Sequence, residues 1–316
     1  MENKKRIIAV VGPTAGGKSA LALELALRCG GEIVSCDSMQ VYKRMNIGTA
    51  KPNSDELSAV RHHMIDIVEP TDTFSCEDYV RLASTAIDDV ISRGKLPIIC
   101  GGTGLYLDAL LRGGNSAPDI DTSDIRAMLC ERVDREGIDP IYNELVSVDP
   151  ESAAAIHKNN EKRVIRALEI YLATGTPKSE LDRRSKELDS PYDATVLSLS
   201  YSDRSILYGR IDRRVDQMIS EGLVEETRSL MSEGAFELNK TASQAIGYKE
   251  LFGYIEGRED LEDAVETLKR STRRYAKRQI TWFSAKNYVI PLVADNDGSV
   301  KPFEEIVNNA KKLFSF

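Results

Sequence analysis

The chain opens on an unbroken apolar run, Ile7-Ile8-Ala9-Val10-Val11. A strand buried on both faces of a parallel sheet reads this way. A Gly-rich turn follows, then an apolar helix over about Lys18 to Arg28. Glu32 to Cys36 predicts a second strand. Ser75 with Asp78 three places on reads as a capping box, opening a helix to about Arg93 that Gly94 ends. Leu96-Pro97-Ile98-Ile99-Cys100 predicts a third strand, and Gly101-Gly102-Thr103-Gly104 turns into a helix over about Leu105 to Leu111. Such alternation predicts an α/β fold built on a doubly wound parallel sheet.

The pattern changes near Gly113. Arg112-Gly113-Gly114-Asn115-Ser116-Ala117-Pro118 reads as a linker. From Asp121 to about Leu188 there is no good strand. Helix starts lie at Asp121 and at Asp149-Pro150, and a stop lies at Gly175-Thr176-Pro177. This predicts a helical insertion domain over 119–190, set into a core domain formed by 1–118 and 191–316. Ala194 to Leu199 returns to strand character. Long helices are predicted over Arg204 to Glu221, Leu223 to Ser232, Ser243 to Glu256 and Asp260 to about Ser284. A strand over Tyr288 to Val293 and a final helix follow.

Composition narrows the class. Of 316 residues, 41% are hydrophobic and 29% charged, which excludes a wholly disordered or collagen-like chain. No apolar run approaches the ~20 residues that span a bilayer. The basic start is followed by a run too short for a signal peptide and broken by Gly12-Pro13, so a cytoplasmic location and no membrane partner are expected. The five cysteines are scattered without a C-x-x-C and only three histidines exist, which disfavours zinc modules and disulfide frameworks. Free thiols fit a reducing compartment. The net charge of −8 argues, on its face, against a nucleic-acid partner.

Gly12-Pro13-Thr14-Ala15-Gly16-Gly17-Lys18-Ser19 matches G-x-x-x-x-G-K-[ST] between a predicted strand and a predicted helix. The glycines let backbone N–H groups face phosphate oxygens, and the helix N-terminus adds partial positive charge. Lys18 is suited to the terminal phosphate and Ser19 to Mg²⁺. By chance, the four fixed positions arise in roughly one chain in a hundred of this length. The motif does not say which molecule carries the phosphates.

Asp37-Ser38-Met39-Gln40 follows the second strand, at the sheet edge where ligands of open α/β sheets bind. Asp37 is a candidate general base for an incoming acceptor, or a ligand of metal-bound water. An Asx-turn or helix cap is the competing use of Asp-Ser after a strand. Gly101 to Gly104, with the Thr103 hydroxyl, lies at the same edge and reads either as a pocket wall or as a plain turn.

Three basic runs stand against the net charge. They are Lys158 to Arg166, Arg204 to Arg214, and Lys269 to Arg278, the last containing no acid. Each alone reads as a solvated helix face. Three of them beside a phosphate site point to a polyanionic substrate. If so, they should line one cleft leading to Asp37.

At this point the sequence resembles the bacterial tRNA dimethylallyltransferase family. The resemblance rests on the Gly12–Ser19 loop, on Asp37-Ser38-Met39-Gln40-Val41-Tyr42 running on to Ile47-Gly48-Thr49-Ala50-Lys51-Pro52, on Gly101-Gly102-Thr103-Gly104-Leu105-Tyr106, and on Arg273-Arg274-Tyr275-Ala276-Lys277-Arg278-Gln279-Ile280-Thr281-Trp282-Phe283. Gln244-Ala245-Ile246-Gly247-Tyr248 is a weaker match. The resemblance implies a P-loop NTPase-like fold and transfer of a dimethylallyl group from its diphosphate to N6 of the adenine beside the anticodon. It places the diphosphate on Gly12 to Ser19 and gives Asp37 the proton of the amine. Lys18, Arg214 and Mg²⁺ at Ser19 would meet the charge of the departing pyrophosphate. It implies tRNA contacts from Asp37, Ser38, Met39, Gln40, Thr103, Arg126, Lys162, Arg163 and Arg166, with the insert closing over the anticodon stem-loop of a base flipped into the pocket. Arg274, Lys277 and Arg278 join them from the basic helix. A monomer is expected. The loop reads Gly16-Gly17 where Ser-Gly is common in the family. Two other classes share the same residues: an ATP-dependent kinase of a small molecule or nucleotide, and a nucleotide-binding switch without a second substrate.

Overall fold

Every side chain from Ile7 to Val11 is buried, and alternate ones feed two separate cores. The fold follows from that alternation. In a computed structural model describing residues 4–113, 122–187, 189–296 and 298–314, the first part of the chain runs β1 (Lys5–Val11), α1 (Lys18–Cys29), β2 (Gly31–Ser35), α2 (Ser54–Ala59), β3 (His62–His63), α3 (Cys76–Ser92), β4 (Leu96–Cys100) and α4 (Gly104–Leu111). Five helices follow: α5 (Ser123–Glu136), α6 (Ile138–Val148), α7 (Pro150–Ala155), α8 (Glu161–Thr174) and α9 (Lys178–Glu187). Then come β5 (Tyr192–Ser200), α10 (Arg204–Ser220), α11 (Leu223–Ser232), α12 (Ala235–Leu238), α13 (Phe252–Ile255), α14 (Leu261–Ser284), β6 (Val289–Val293), the short pair β7 (Asp295–Asn296) and β8 (Ser299–Val300), and α15 (Phe303–Lys312).

The main sheet is parallel throughout, in the order β3-β2-β4-β1-β5-β6. The chain first builds outward on one side of β1, then crosses to the other side with β5. Ile7, Ala9 and Val11 pack with Val34 and Ile99 against α3 and α4. Ile8 and Val10 pack with Ile33 and Ile98 against α1 and α15. With helices on both faces, polar ligands are left the strand ends. The carboxyl edge carries the turns after β1, β2 and β4, beside the point where strand order reverses. This is the doubly wound α/β architecture that the hydrophobic pattern predicts.

Two compact units are present, Met1–Leu111 with Pro191–Phe316, and Arg112–Ser190. The second holds α5 to α9 around Leu129, Ile141, Leu145, Val164 and Leu168. The Asp149 cap with Pro150 following, and the left-handed Gly175 after α8, are where the sequence puts them. Of the predicted linker, Gly114 to Pro118 lies outside the described residues, as does the helix start at Asp121.

Most elements lie within two residues of expectation. The predicted helix over Ser243 to Glu256 is a correction. That stretch is a 3₁₀ turn at Ala242–Gln244, a second at Lys249–Leu251 and then the single turn α13. Gly247, at φ +112°, interrupts it. Sequence reading also missed α2, although Asn53 and Glu56 form a full capping box there.

Candidate active site

The phosphate-type turn is a backbone construction. Gly12 and Gly17 have φ of +127° and +95°. A Cβ on Gly12 would stand 2.6 Å from the Leu199 carbonyl oxygen, and one on Gly16 2.9 Å from that of Pro13. The turn therefore needs glycine for both conformation and space. Its carbonyls are held from outside: Arg210 Nε donates to Ala15 O at 2.8 Å, and the Tyr201 hydroxyl donates to Gly16 O at 2.9 Å. Holding carbonyls outward helps present the N–H groups inward.

A buried glutamine joins this turn to the next. Gln279 Oε1 accepts from Thr14 N at 2.8 Å, and Gln279 Nε2 donates to Gly102 O at 3.0 Å. The glycines after β4 are spacing residues. A Cβ on Gly101 would lie 2.0 Å from Cys36 O, on Gly102 2.0 Å from Gln279 Nε2, and on Gly104 2.3 Å from the Trp282 ring. Thr103 Oγ1 accepts from Ser38 N at 3.0 Å, tying the β4 turn to the β2 turn.

Lys18 Nζ donates to Pro13 O at 2.8 Å. Burial pulls its pKa down to about 8; Arg214 adds to the fall, while Cys100 and Asp37 oppose it. Burial likewise lowers Arg214, and Asp37 counters that. An arginine nonetheless stays charged. Two recessed cations thus face one carboxylate, an arrangement that an arriving polyphosphate would relieve.

Asp37 does form the Asx-turn expected as its competing use. Its Oδ1 accepts from Met39 N at 2.9 Å and more weakly from Gln40 N at 3.4 Å. The bonds use one oxygen and fix the carboxylate's direction, so turn and reactive group are compatible. Burial, followed by the Asp37 charge, pushes the nearby Tyr275 hydroxyl well above its usual pKa.

Two cavities meet here. One, of about 810 Å³, is lined by Gly17, Lys18, Ser19, Arg210, Arg213 and Arg214 among others. The other, of about 250 Å³, is lined by Thr14, Asp37, Met39, Tyr275 and Arg278 among others. Arg214 lines both. A ligand with its anionic end on the turn after β1 would therefore have both Arg214 and Asp37 close by.

Residues 46–52 wall both cavities. Gln40 Nε2 donates to Thr49 O and Ala50 O, both at 3.2 Å. Lys51 Nζ donates to Tyr42 O at 2.6 Å, Asn46 Oδ1 at 3.0 Å and Asp66 Oδ1 at 2.5 Å. All three ammonium protons are used, so Lys51 braces the wall.

The basic runs divide. In the third, Lys269 pairs with Asp216 at 2.8 Å and Arg273 with Asp212 at 2.6 Å, binding α14 to α10. Arg274, Lys277 and Arg278 are exposed. Arg278 lies 5.5 Å from the centre of the Tyr275 ring, and with Arg214 of the second run it lines the Asp37 cavity. The first run belongs to the helical unit. There Lys162 and Arg163 are exposed on the first turn of α8. Arg126 and Arg166 both bind the fully buried Glu169, at 2.9 and 2.5 Å.

Sequence reading gave no role to Gln279, Arg210 or Glu226. Gln279 carries one faint signal: an uncharged polar residue directly after six cations in ten positions.

Comparison with known proteins gives the chain a family. The IPP transferase family model matches residues 40–286. A tRNA dimethylallyltransferase of Geobacillus thermodenitrificans is 48% identical over 88% of this chain and 87% of its own. One from Caldanaerobacter subterraneus subsp. tengcongensis is 45% identical over 96% of both. Among solved structures, the tRNA isopentenylpyrophosphate transferase of Bacillus halodurans superposes with a TM-score of 0.70 at 41% identity, covering 98% of this chain and 95% of its own. A eukaryotic dimethylallyltransferase acting on tRNA gives 0.79 at 32% identity, over 92% and 74%. The fold is P-loop NTPase-like, and the chain belongs to the IPP transferase family.

Proposed function

We propose that the protein transfers a dimethylallyl group from dimethylallyl diphosphate to the exocyclic N6 amine of the adenine adjacent to a tRNA anticodon, releasing pyrophosphate. The observation that carries this is the shared position of Arg214, which lines both the cavity of the phosphate-type turn and the cavity of Asp37. The names of the relatives support transfer to tRNA and do not favour the kinase alternative.

The residues supply what such a transfer needs. The new bond joins N6 to the allylic carbon, and the carbon–oxygen bond to the diphosphate breaks. The N6 proton goes to Asp37, whose Oδ1 is already oriented by Met39 N. The electron pair leaves with pyrophosphate, whose growing charge meets Lys18, Arg214 and the N–H groups of Gly17 to Ser19, the Gly16 N–H being held by Pro13 O. Burial makes those donors more effective than they would be in water.

Mg²⁺ fits the same site. Among the described residues no cluster of three His, Cys, Asp or Glu could hold an ion. Ser19 lines the larger cavity, and one hydroxyl suits a cation that keeps its waters and takes substrate phosphates. When bound it would add charge neutralisation on the diphosphate. The exposed Arg274, Lys277 and Arg278, with Lys162 and Arg163 of the helical unit, are proposed to meet tRNA phosphates.

The test is incubation with unmodified tRNA and dimethylallyl diphosphate labelled in the prenyl group. Label should enter the tRNA fraction only when both substrates are present. ATP consumption without label transfer would overturn the reading.

A further inference from the structure

Glu226, on the first turn of α11, makes a set of contacts that the proposed chemistry does not use. Its Oε2 accepts from Asn46 N at 3.1 Å. Both oxygens accept from Ile47 N, at 2.9 and 3.0 Å, and Oε1 accepts from Gly48 N at 3.2 Å. The Tyr248 hydroxyl donates to Oε1 at 2.7 Å. Three consecutive backbone N–H groups and a buried phenol thus converge on one carboxylate. Successive N–H groups of this kind form an anion-binding concavity, and here the anion is part of the protein.

The location gives the contact its meaning. Residues 46–48 begin the wall that both cavities share: Asn46 and Ile47 face the larger, Gly48 the smaller. Gly48 is pressed onto the Tyr248 ring, where a Cβ would sit 2.5 Å from ring carbons. α11 directly follows α10, which carries Arg210, Arg213 and Arg214. Beside the apolar cluster that Ile47 shares with Val215 and Met218 of α10, the wall is therefore tied to the following helix through a carboxylate 178 residues in sequence from Gly48.

We infer that Glu226 is a positioning residue that fixes the 46–48 wall against the helix bearing Arg214, and so sets affinity for the diphosphate donor. The inference rests on the proposed prenyl transfer. Glu226 touches no reacting atom in that scheme. The wall it fixes is common to ground and transition states, so its loss should weaken binding rather than slow chemistry.

The test compares Glu226→Gln and Tyr248→Phe with the unaltered protein in steady-state prenyl transfer and in amide hydrogen exchange. Glu226→Gln keeps the size but replaces one acceptor by an N–H that opposes the backbone donors. It should raise KM for dimethylallyl diphosphate about ten-fold or more, roughly the worth of one charge-assisted hydrogen bond. kcat and the KM for tRNA should change less than about two-fold. Amides 46–48 should exchange faster while the β-strand amides keep their protection. Tyr248→Phe leaves the ring on Gly48, removes one of the bonds, and should shift the same two readouts in the same direction by less. A fall in kcat with donor KM unchanged, or unaltered exchange at 46–48 in both variants, would overturn the inference. Failure of the unaltered protein to label tRNA would instead overturn the transfer reading, and the exchange measurement would still test the anchor.

Discussion

The turn after β1 and the loop after β2 leave the same edge of one sheet, yet they are held in different ways. The first is shaped by its own backbone, with left-handed glycines and spaces no Cβ could enter at Gly12 and Gly16, and Arg210, Tyr201 and Gln279 brace that shape from outside. The second is built from side chains. Asp37 orients itself through Met39 N, Gln40 and Lys51 bind carbonyls from within the loop, and Glu226 reaches in from a distant helix. A backbone cradle suits a phosphate, whose recognition needs N–H groups and charge. A side-chain scaffold suits a reactive carboxylate, which needs a fixed direction and a firmly held wall.

If the turn after β1 serves phosphate binding and Asp37 serves proton transfer in this way, perturbing each should leave a different signature. The largest effect belongs to Asp37→Asn. Prenyl transfer should slow by about 10²–10⁴-fold, the usual worth of a general base. Inorganic pyrophosphate affinity, read by calorimetry, should not fall, because the first region is intact and a negative charge facing Lys18 and Arg214 is gone. Equal loss of both would erase the division.

Next comes the pH dependence of the first region. Lys18 is held near pKa 8 in the free site, and a bound anion favours its charged form. The bound-state pKa is therefore the higher one. Affinity for pyrophosphate is fully present below about pH 8 and falls as pH rises from there toward the bound pKa, by about ten-fold per unit. Lys18→Arg, which does not titrate in this range, cancels the ligand's own titration in the comparison. Parallel pH curves for the two proteins would remove Lys18 from the site.

Gly101→Ala probes the junction between the turns. The added methyl meets the Cys36 carbonyl, and overpacking of this kind costs about 1–3 kcal/mol. Chemical denaturation should show that loss, and an unchanged midpoint would mean the turns are not closely joined. The smallest effect is expected at Arg274→Ala on the exposed side of α14. The KM for tRNA should rise a few-fold with kcat nearly kept, and the salt dependence of binding should lessen by about one phosphate contact. An unaltered KM would return that helix face to a merely solvated role.

The same contrast explains what the sequence let a reader see. Gly12 to Ser19 is legible because a backbone site spends glycines at fixed intervals. Asp37 is legible because strand ends predict the ligand edge. Glu226 and Gln279 are not, since their partners lie 178 and 265 residues away and local pattern carries no trace of the pairing. The broken helix at Gly247 was misread for a related reason: that glycine marks where the chain passes close to Gly48, a distant contact that its neighbours in sequence do not announce. The charge argument needed correction too. A net charge of −8 coexists with a local meeting of Lys18, Arg210, Arg213 and Arg214 around one cavity. Local field, more than total charge, decides what such a site attracts.

The most direct test of the account uses an anticodon stem-loop whose target adenine is replaced by unsubstituted purine, which lacks the exocyclic amine. With adenine present, single-turnover reaction should release one pyrophosphate for each prenyl group transferred. With purine, the account predicts neither transfer nor pyrophosphate release above the RNA-free rate. Pyrophosphate release from the purine stem-loop at the adenine rate would contradict it.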